Sequence, residues 1–502
     1  MQQYEEKHGR VQLRLPERTL PFEITAECTL PDYRSEISRL LWVRPTLLPP
    51  ERFVGGGKAE FSGKILFEML YTGPDGVLYG ADHEQGYSFT VPLEGAYAAE
   101  DAEVFASPAV DAVISRVTGP RRLAVRCRSH ARIYGLAQKE LTLKQRGLPE
   151  GAVPHLLCEA AEAGSATNGG REELLLSDTL SCEEGERVIC ARGNALLSEV
   201  RALTDEVRVC GEVLVSLLCA REEQSVPSVR ERRIPFECCV ALEGVHPAHS
   251  ACAEGTVGRI DISAENGQIT LSPQLILTAN AQRNEPIALC RDVFLPGHGA
   301  EYRFEDLPAW QAGECYARHF SISAELPAEA LSMGEDVEIL DHICEAEIDE
   351  KTVESGKLAL DGKLQCHLLC RRGGEICTQD AVFPFRLVPG YGTEHAFADC
   401  RVADCRVRLQ NGVLRADAEV QLSLCDALPL PLHVLCEATF TPHAPAPRAA
   451  IELYYPAPSQ TLWDVAKKYG VSPDALAERN ALACDAPGEK DTLAGKKFLL
   501  IP

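Results

Sequence analysis

Apolar and polar residues alternate along most of the first 450 positions, and the pattern returns three times. GKAEFSGKILFEMLYTGPDG from Gly57, DEVRVCGEVLVSLLCAREEQ from Asp205 and GKLALDGKLQCHLLCRRGGE from Gly356 align on Gly63, Gly211 and Gly362, which are 148 and 151 residues apart. A second apolar segment follows each at a similar distance: YSFTVPL around Phe89, IPFECCVAL around Phe236 and FPFRLV around Phe385. A third element reads as a hairpin, SRVTGPRRLAVR, ISAENGQITLSP and VRLQNGVLRADAEV, with turn glycines Gly119, Gly267 and Gly412, 148 and 145 residues apart. Three elements that keep order and spacing through three copies define an internal repeat. Asn266-Gly267 and Asn411-Gly412 predict type I′ turns, which need positive φ twice. The steps Val402, Cys405, Val407, Leu409 depart from a strict period of two and predict a bulge. Each copy is therefore expected to be mainly β, a sandwich or partly open barrel. The stretch LPDYRSEISRLLWVRPTL ahead of the first segment is expected to hold one short helical turn. Gly63, Gly211 and Gly362 are expected at bulges or close backbone contacts rather than at a ligand.

The period changes at the C-terminus. Leu462, Val465, Ala466 and Tyr469 fall at i, i+3, i+4 and i+7, one face of a helix. Thr461 with Asp464 fits a capping box, and Gly470 suits a left-handed C′ position. Ser472-Pro473 predicts a second helix with a hydroxyl N-cap and proline at its first position. Apolar runs Ile451–Tyr455 and Lys497–Ile501 flank the pair, completing a βααβ unit.

These residues, TLWDVAKKYGVSPDALAERNAL and then AGKKFLLIP, resemble the LysM family. The resemblance implies a shallow groove for N-acetylglucosamine-containing glycans, between the first strand–helix loop and the loop before the last strand. The matching positions are Ser459, Gln460, Thr461 and Leu462 on one side and Asn480, Ala481 and Leu482 on the other. The family's usual Gly-Asp is Ser459-Gln460 here, and Cys484 to Thr492 looks like an insertion, so weakened sugar binding is expected. Trp463 lies off the apolar stripe by about 100°, as helical geometry requires. It is either a partner-facing contact or packing at the module's edge, and tryptophan is enriched at binding hot spots.

The repeats carry a second resemblance. An opening LPDY…I…L…V, then G-apolar-x-x-x-G-x-apolar, an apolar run and a turn, looks like the SPOCS domain of clostridial sporulation and spore-coat proteins. Several such copies followed by one LysM is also the domain order of a sporulation protein that docks on the spore-coat morphogenetic ATPase. The resemblance implies a non-enzymatic scaffold in the mother-cell cytoplasm, at the forespore surface, that binds this ATPase or another coat protein partly through the LysM. The domains expected are three β repeats at 1–146, 171–290 and 300–441, a Pro-rich linker at 442–450 and the LysM at 451–502. Gly147 to Gly170 and Pro286 to Gly299 are expected as connections, although IALCRDVFLP could pair with a neighbouring sheet. Pro442 to Pro447 is expected to be a stiff spacer.

Charge narrows the partners. The chain of 502 residues has a formal net charge of −24, and only −1 of it falls in 451–502. A body this acidic is expected to repel nucleic acid and anionic membrane surfaces. No apolar h-region opens the sequence and no run of about 18 apolar residues occurs, so no membrane insertion is expected. The 21 cysteines form no CxxC pair, and many, such as Cys210, Cys219, Cys238, Cys239, Cys366, Cys370, Cys425 and Cys436, sit in strand-like runs as small hydrophobes. Cys366-His367 with Cys370 is the nearest approach to a metal motif, but neighbours on a strand point to opposite faces. No metal, cofactor or catalytic residue is expected, since GxSxG, GxxxxGK[ST] and HExxH are all missing. The competing expectation is a cell-wall protein anchored to peptidoglycan by its LysM.

Overall fold

The computed structural model describes residues 2–98, 102–167, 169–221, 227–265, 267–331, 337–443, 452–457, 459–482, 493 and 497–502. The chain is mainly β, built from three sandwich-like lobes and one small αβ module. Lobe one comprises β1 (Gln2–Thr29), β2 (Arg39–Leu47), β3 (Glu51–Gly55), β4 (Lys58–Thr72), β5 (Leu78–Pro92), β6 (Glu103–Gly119) and β7 (Arg122–Leu148). Lobe two comprises β8 (His155–Ala166), β9 (Gly170–Leu175), β10 (Asp178–Ser181), β11 (Glu186–Ala202), β12 (Glu206–Arg221), β13 (Ser228–Ala241), β14 (Ser250–Glu265) and β15 (Gln268–Phe294). Lobe three comprises β16 (His298–Pro327), β17 (Val337–Glu354), β18 (Lys357–Arg372), β19 (Glu375–Leu387), β20 (Phe397–Gln410) and β21 (Val413–Pro442).

Each lobe stacks two sheets. The outer sheets run β2-β4-β5, β11-β12-β13 and β17-β18-β19; in the inner ones the lobe's last strand pairs with its first strand and with the strand before it. Period-two burial places one face of each sheet inside. Phe61, Phe67, Val125 and Ile133 share the core of lobe one, Val215, Leu217, Leu271 and Leu277 that of lobe two, and Leu364, Leu368, Leu414 and Val420 that of lobe three.

The conserved order of the three elements has a direct structural counterpart. Gly63 stands opposite Tyr87, Gly211 opposite Phe236 and Gly362 opposite Phe385. A Cβ at Gly362 would press on the Glu347 carbonyl oxygen and lie 2.6 Å from Phe385 Cζ; at Gly211 it would meet Leu196 O and lie 2.9 Å from Phe236 Cζ. The neighbouring strands bulge at Ile348/Glu350 and Leu197/Glu199. These glycines let a ring lie flat across the strand beside a bulge. In lobe one the equivalent aromatic is Tyr87, two residues before the expected Phe89, which instead faces Phe61. Tyr87 Oη donates to Leu48 O at 2.8 Å, where β2 breaks off before β3.

Turn chemistry follows the local sequence. Asn411 and Gly412 have φ of 51° and 74°, the double positive φ of a type I′ turn. The Gly56-Gly57 and Ser355-Gly356 turns repeat this conformation between equivalent strands. Gly267 has φ 73°; Asn266 lies outside the described residues. The bulge expected in 402–409 falls between Val402 and Asp404. The helical turn expected before β2 does not form: 32–34 is turn and bend, 35–38 is irregular with a bend at its end, and β2 begins at Arg39.

The connections read from the sequence are also corrected. Residues 155–166 of the first one form β8, and 286–294 of the second are the end of β15, which pairs antiparallel with β8 from Gln282↔Ala166 to Phe294↔His155. Polar, Gly-containing stretches look like linkers because these strands are half-exposed ribbon rather than sandwich core. The first and last strands of every lobe form such a ribbon, and the three ribbons meet. Val11 and Leu141 of lobe one, Ala163, Ile287 and Leu289 of lobe two, and Leu307, Ala309, Leu432 and Val434 of lobe three share one apolar cluster. A second three-way cluster joins the outer sheets through Leu70, Leu78, Ile189, Leu218 and Leu369. Buried amides tie the lobes further: Gln12 bonds both ways with the Ala166 backbone, and Gln421 with that of Leu197. Arg192 of lobe two donates to both oxygens of Asp341 in lobe three, at 2.9 and 2.7 Å, with Asp341 only 3% exposed. Among the described residues no helix is long and apolar enough to cross a membrane.

Candidate functional site

After the Pro-rich segment, of which 444–450 lie outside the described residues, the C-terminal module forms β22 (Glu452–Tyr454), α1 (Leu462–Tyr469), α2 (Pro473–Arg479) and β23 (Leu499–Ile501). The two strands pair antiparallel, Glu452↔Ile501 to Tyr454↔Leu499. Thr461 and Asp464 form the reciprocal capping box, and Gly470 closes α1 in the left-handed conformation at φ 60°. Pro473 opens α2, but the Ser472 hydroxyl makes no capping bond; proline at the first position lacks the N–H of its own turn, and that start holds without the cap.

The expected groove positions divide into spent and available groups. The Gln460 side-chain oxygen accepts from Tyr454 Oη at 2.8 Å and Ala457 N at 2.9 Å, tying the strand–helix loop to β22. Asn480 clamps the last strand: Nδ2 donates to Leu476 O and Leu500 O, each at 2.8 Å, and Oδ1 accepts from Leu500 N at 2.7 Å. The Thr461 hydroxyl is engaged in its cap. Leu462 and Leu482 are half-buried against the module's core. Ser459 and Ala481 are exposed, and Ala481 holds the left-handed conformation at φ 47°. The insertion Cys484 to Thr492 lies outside the described residues.

Trp463 is buried, 7% exposed, and its neighbour is outside the module. Its ring meets Phe294 edge-on, with centroids 4.9 Å apart, and Nε1–H donates to Asp292 Oδ2 at 2.8 Å. Lys467, one turn further along α1, donates to the same carboxylate at 2.7 and 2.6 Å and lies over the Tyr302 ring at 4.8 Å. Burial works against the Lys467 charge, but bonds to Asp292 and Tyr302 outweigh it and hold the ammonium above its ordinary value. Tyr302 Oη donates to Val293 O at 2.7 Å. The module is therefore docked on the outer end of β15. The signal in the sequence was the off-stripe Trp463; Asp292 carried none, because its partner is 171 residues away.

The structure also gathers thiols that no local spacing announces. One ring nitrogen of His342, Cys344 Sγ and Cys405 Sγ lie within 4.8 Å of one another, as do the sulfurs of Cys252, Cys315 and Cys425. Hydrogen bonds from Cys344 and then Cys366 bring the Cys405 thiol down to about 4. Of the motif noticed in the sequence, Cys366 and Cys370 face the core, while His367 turns to the other face and meets Asp380 at 2.7 Å. Cys239, expected as a small buried hydrophobe, is exposed because it alternates with Cys238 on β13.

Comparison with protein families matches residues 457–488 to the LysM domain. The chain therefore carries a LysM domain at its C-terminus; the match does not extend to the three lobes. No curated protein and no solved structure matches the chain.

Proposed function

We propose that this chain is a non-enzymatic morphogenetic scaffold of spore-coat assembly, acting in the mother-cell cytoplasm and docking on the coat morphogenetic ATPase or another coat protein. The observation that carries this reading is the fixed LysM. Trp463 and Lys467 bind it to Asp292 of the body, and the Gln460 oxygen, the Thr461 oxygen and the Asn480 amide form bonds inside the module. Among the described groove positions several polar groups are thus turned inward, and such a preset surface suits a protein partner better than a glycan. The likeness of the repeats to SPOCS domains and the strongly acidic body support the same reading. Peptidoglycan binding is the second reading, favoured by the LysM match itself and by the exposed Ser459 and Ala481.

The full-length chain separates the two. Incubated with purified peptidoglycan and, in parallel, with the purified coat ATPase, it is expected to bind the ATPase and to stay in the supernatant of the glycan pellet. Saturable pelleting with peptidoglycan and no ATPase binding would reverse the assignment.

A further inference from the structure

We propose that His342, Cys344, Cys366 and Cys405 form a zinc site in the third lobe, a Cys3His centre that staples its two sheets together. The donors come from three strands: His342 and Cys344 from β17, Cys366 from β18 and Cys405 from β20. Thus β17 and β18 contribute from the outer sheet and β20 from the inner one. His342, Cys344 and Cys405 are mutually within 4.8 Å, and Cys366 Sγ is 3.0 Å from Cys344 Sγ. That separation is far longer than a disulfide bond of about 2.05 Å. Three sulfurs and one imidazole are a common ligand set of structural zinc; tetrahedral Zn–S bonds of about 2.3 Å would set the sulfurs about 3.8 Å apart, so Cys344 and Cys366 would part and the more distant donors would close in around the ion.

The outer shell is in place as well. His342 Nε2 donates to the Cys405 carbonyl at 2.8 Å, which leaves the ring's lone pair on Nδ1. Ligating histidines are ordinarily oriented by such a bond to a carbonyl. The backbone N–H of His342 is held at 2.8 Å by Asp341, itself locked by Arg192. Cys366 is buried while the other three are half-exposed, so an ion can reach the donors from outside. Binding would release the protons of those thiols still protonated.

The other lobes argue that these donors are not ordinary core packing. Where lobe three pairs Cys344 with Cys366, lobe two pairs Gly193 with Val215 and lobe one Pro45 with Phe67. Where His342 faces Leu368, the equivalents are Ala191 facing Leu217 and Val43 facing Met69. One fold, tried three times, is apolar at these positions twice and carries donors once.

The test uses the full chain on a Cys252→Ser background, which breaks the second thiol trio. Reduced protein is given zinc chloride, desalted, and its zinc is measured per chain. We expect one equivalent, lost in Cys405→Ser and in His342→Gln. No zinc in the reduced parent, or equal zinc in parent and both variants, overturns the site. Cobalt(II) titration of the parent is the readout that needs no further variant. A tetrahedral visible spectrum with a thiolate charge-transfer band, bleached by zinc, is expected; its absence overturns the site too.

Discussion

At the scale of single residues, Trp463 carries the largest consequence. Its indole is both packing and donor, so Trp463→Ala leaves a cavity against Phe294 and takes one of its donors from the Asp292 carboxylate, which keeps Lys467. Truncating a buried tryptophan costs about 3–5 kcal/mol, and the loss should appear in urea unfolding together with faster amide exchange at 292–294 and 462–469. Trp463→Phe should recover part of the packing and none of the bond to Asp292. Lys467 acts through charge. Its folded value is raised above 10.5, so its contribution is fully present below that pH and is lost as pH rises through the raised value. The side chain is 35% exposed, so the effect should stay below about 1 kcal/mol. Stability measured between pH 9 and 12 should fall less in Lys467→Met than in the parent. The cross-strand glycines are a third case. Gly362→Ala drives a Cβ into Glu347 O and the Phe385 ring, and overpacking of this kind costs about 1–3 kcal/mol. Gly86→Ala, with nothing within 4 Å of the added carbon, should leave the urea midpoint nearly unchanged.

At the scale of elements, legibility tracked the range of the interactions that decide each one. The type I′ turn at Asn411-Gly412, the capping box at Thr461 and Asp464 and the bulge after Val402 depend on neighbours, and all three were legible. So was the stripe of α1, apart from Trp463, whose burial depends on a strand in another lobe. The ribbons were not legible. Half-exposed strands such as β8 alternate weakly, with Glu159 and Glu162 among alanines, and their pairing partners lie more than 100 residues away. Tyr87 was mistaken for Phe89 because the segment has aromatics at both positions and only the register across β4 and β5 tells them apart. At the expected groove positions, the bonds that the Gln460 oxygen, the Thr461 oxygen and the Asn480 amide make inside the module were not legible. The Gln460 oxygen bonds to the Tyr454 hydroxyl and the Ala457 N–H, and Asn480 to backbone groups of Leu476 and Leu500, whose positions only the folded module supplies.

At the scale of the whole molecule, the lobes are not beads on a string. Arg192→Ala would strand Asp341, at 3% exposure, without its charge partner. Breaking a buried pair from one side costs about 3–5 kcal/mol, whereas replacing both members by apolar residues can be neutral. Arg192→Met combined with Asp341→Leu should therefore recover most of the stability that Arg192→Ala loses, as read from urea midpoints. The ribbon hub has a further implication, for stoichiometry. Three like lobes around a common centre are what a homotrimer of a one-lobe protein would make, but there every change would appear in triplicate. Joined in one chain, the lobes can differ, and they do: only the second presents Asp292 and Phe294 to a module, and only the third gathers His342 with its thiols. The LysM matched at 457–488 is thus held on the second lobe in one orientation rather than repeated around the hub.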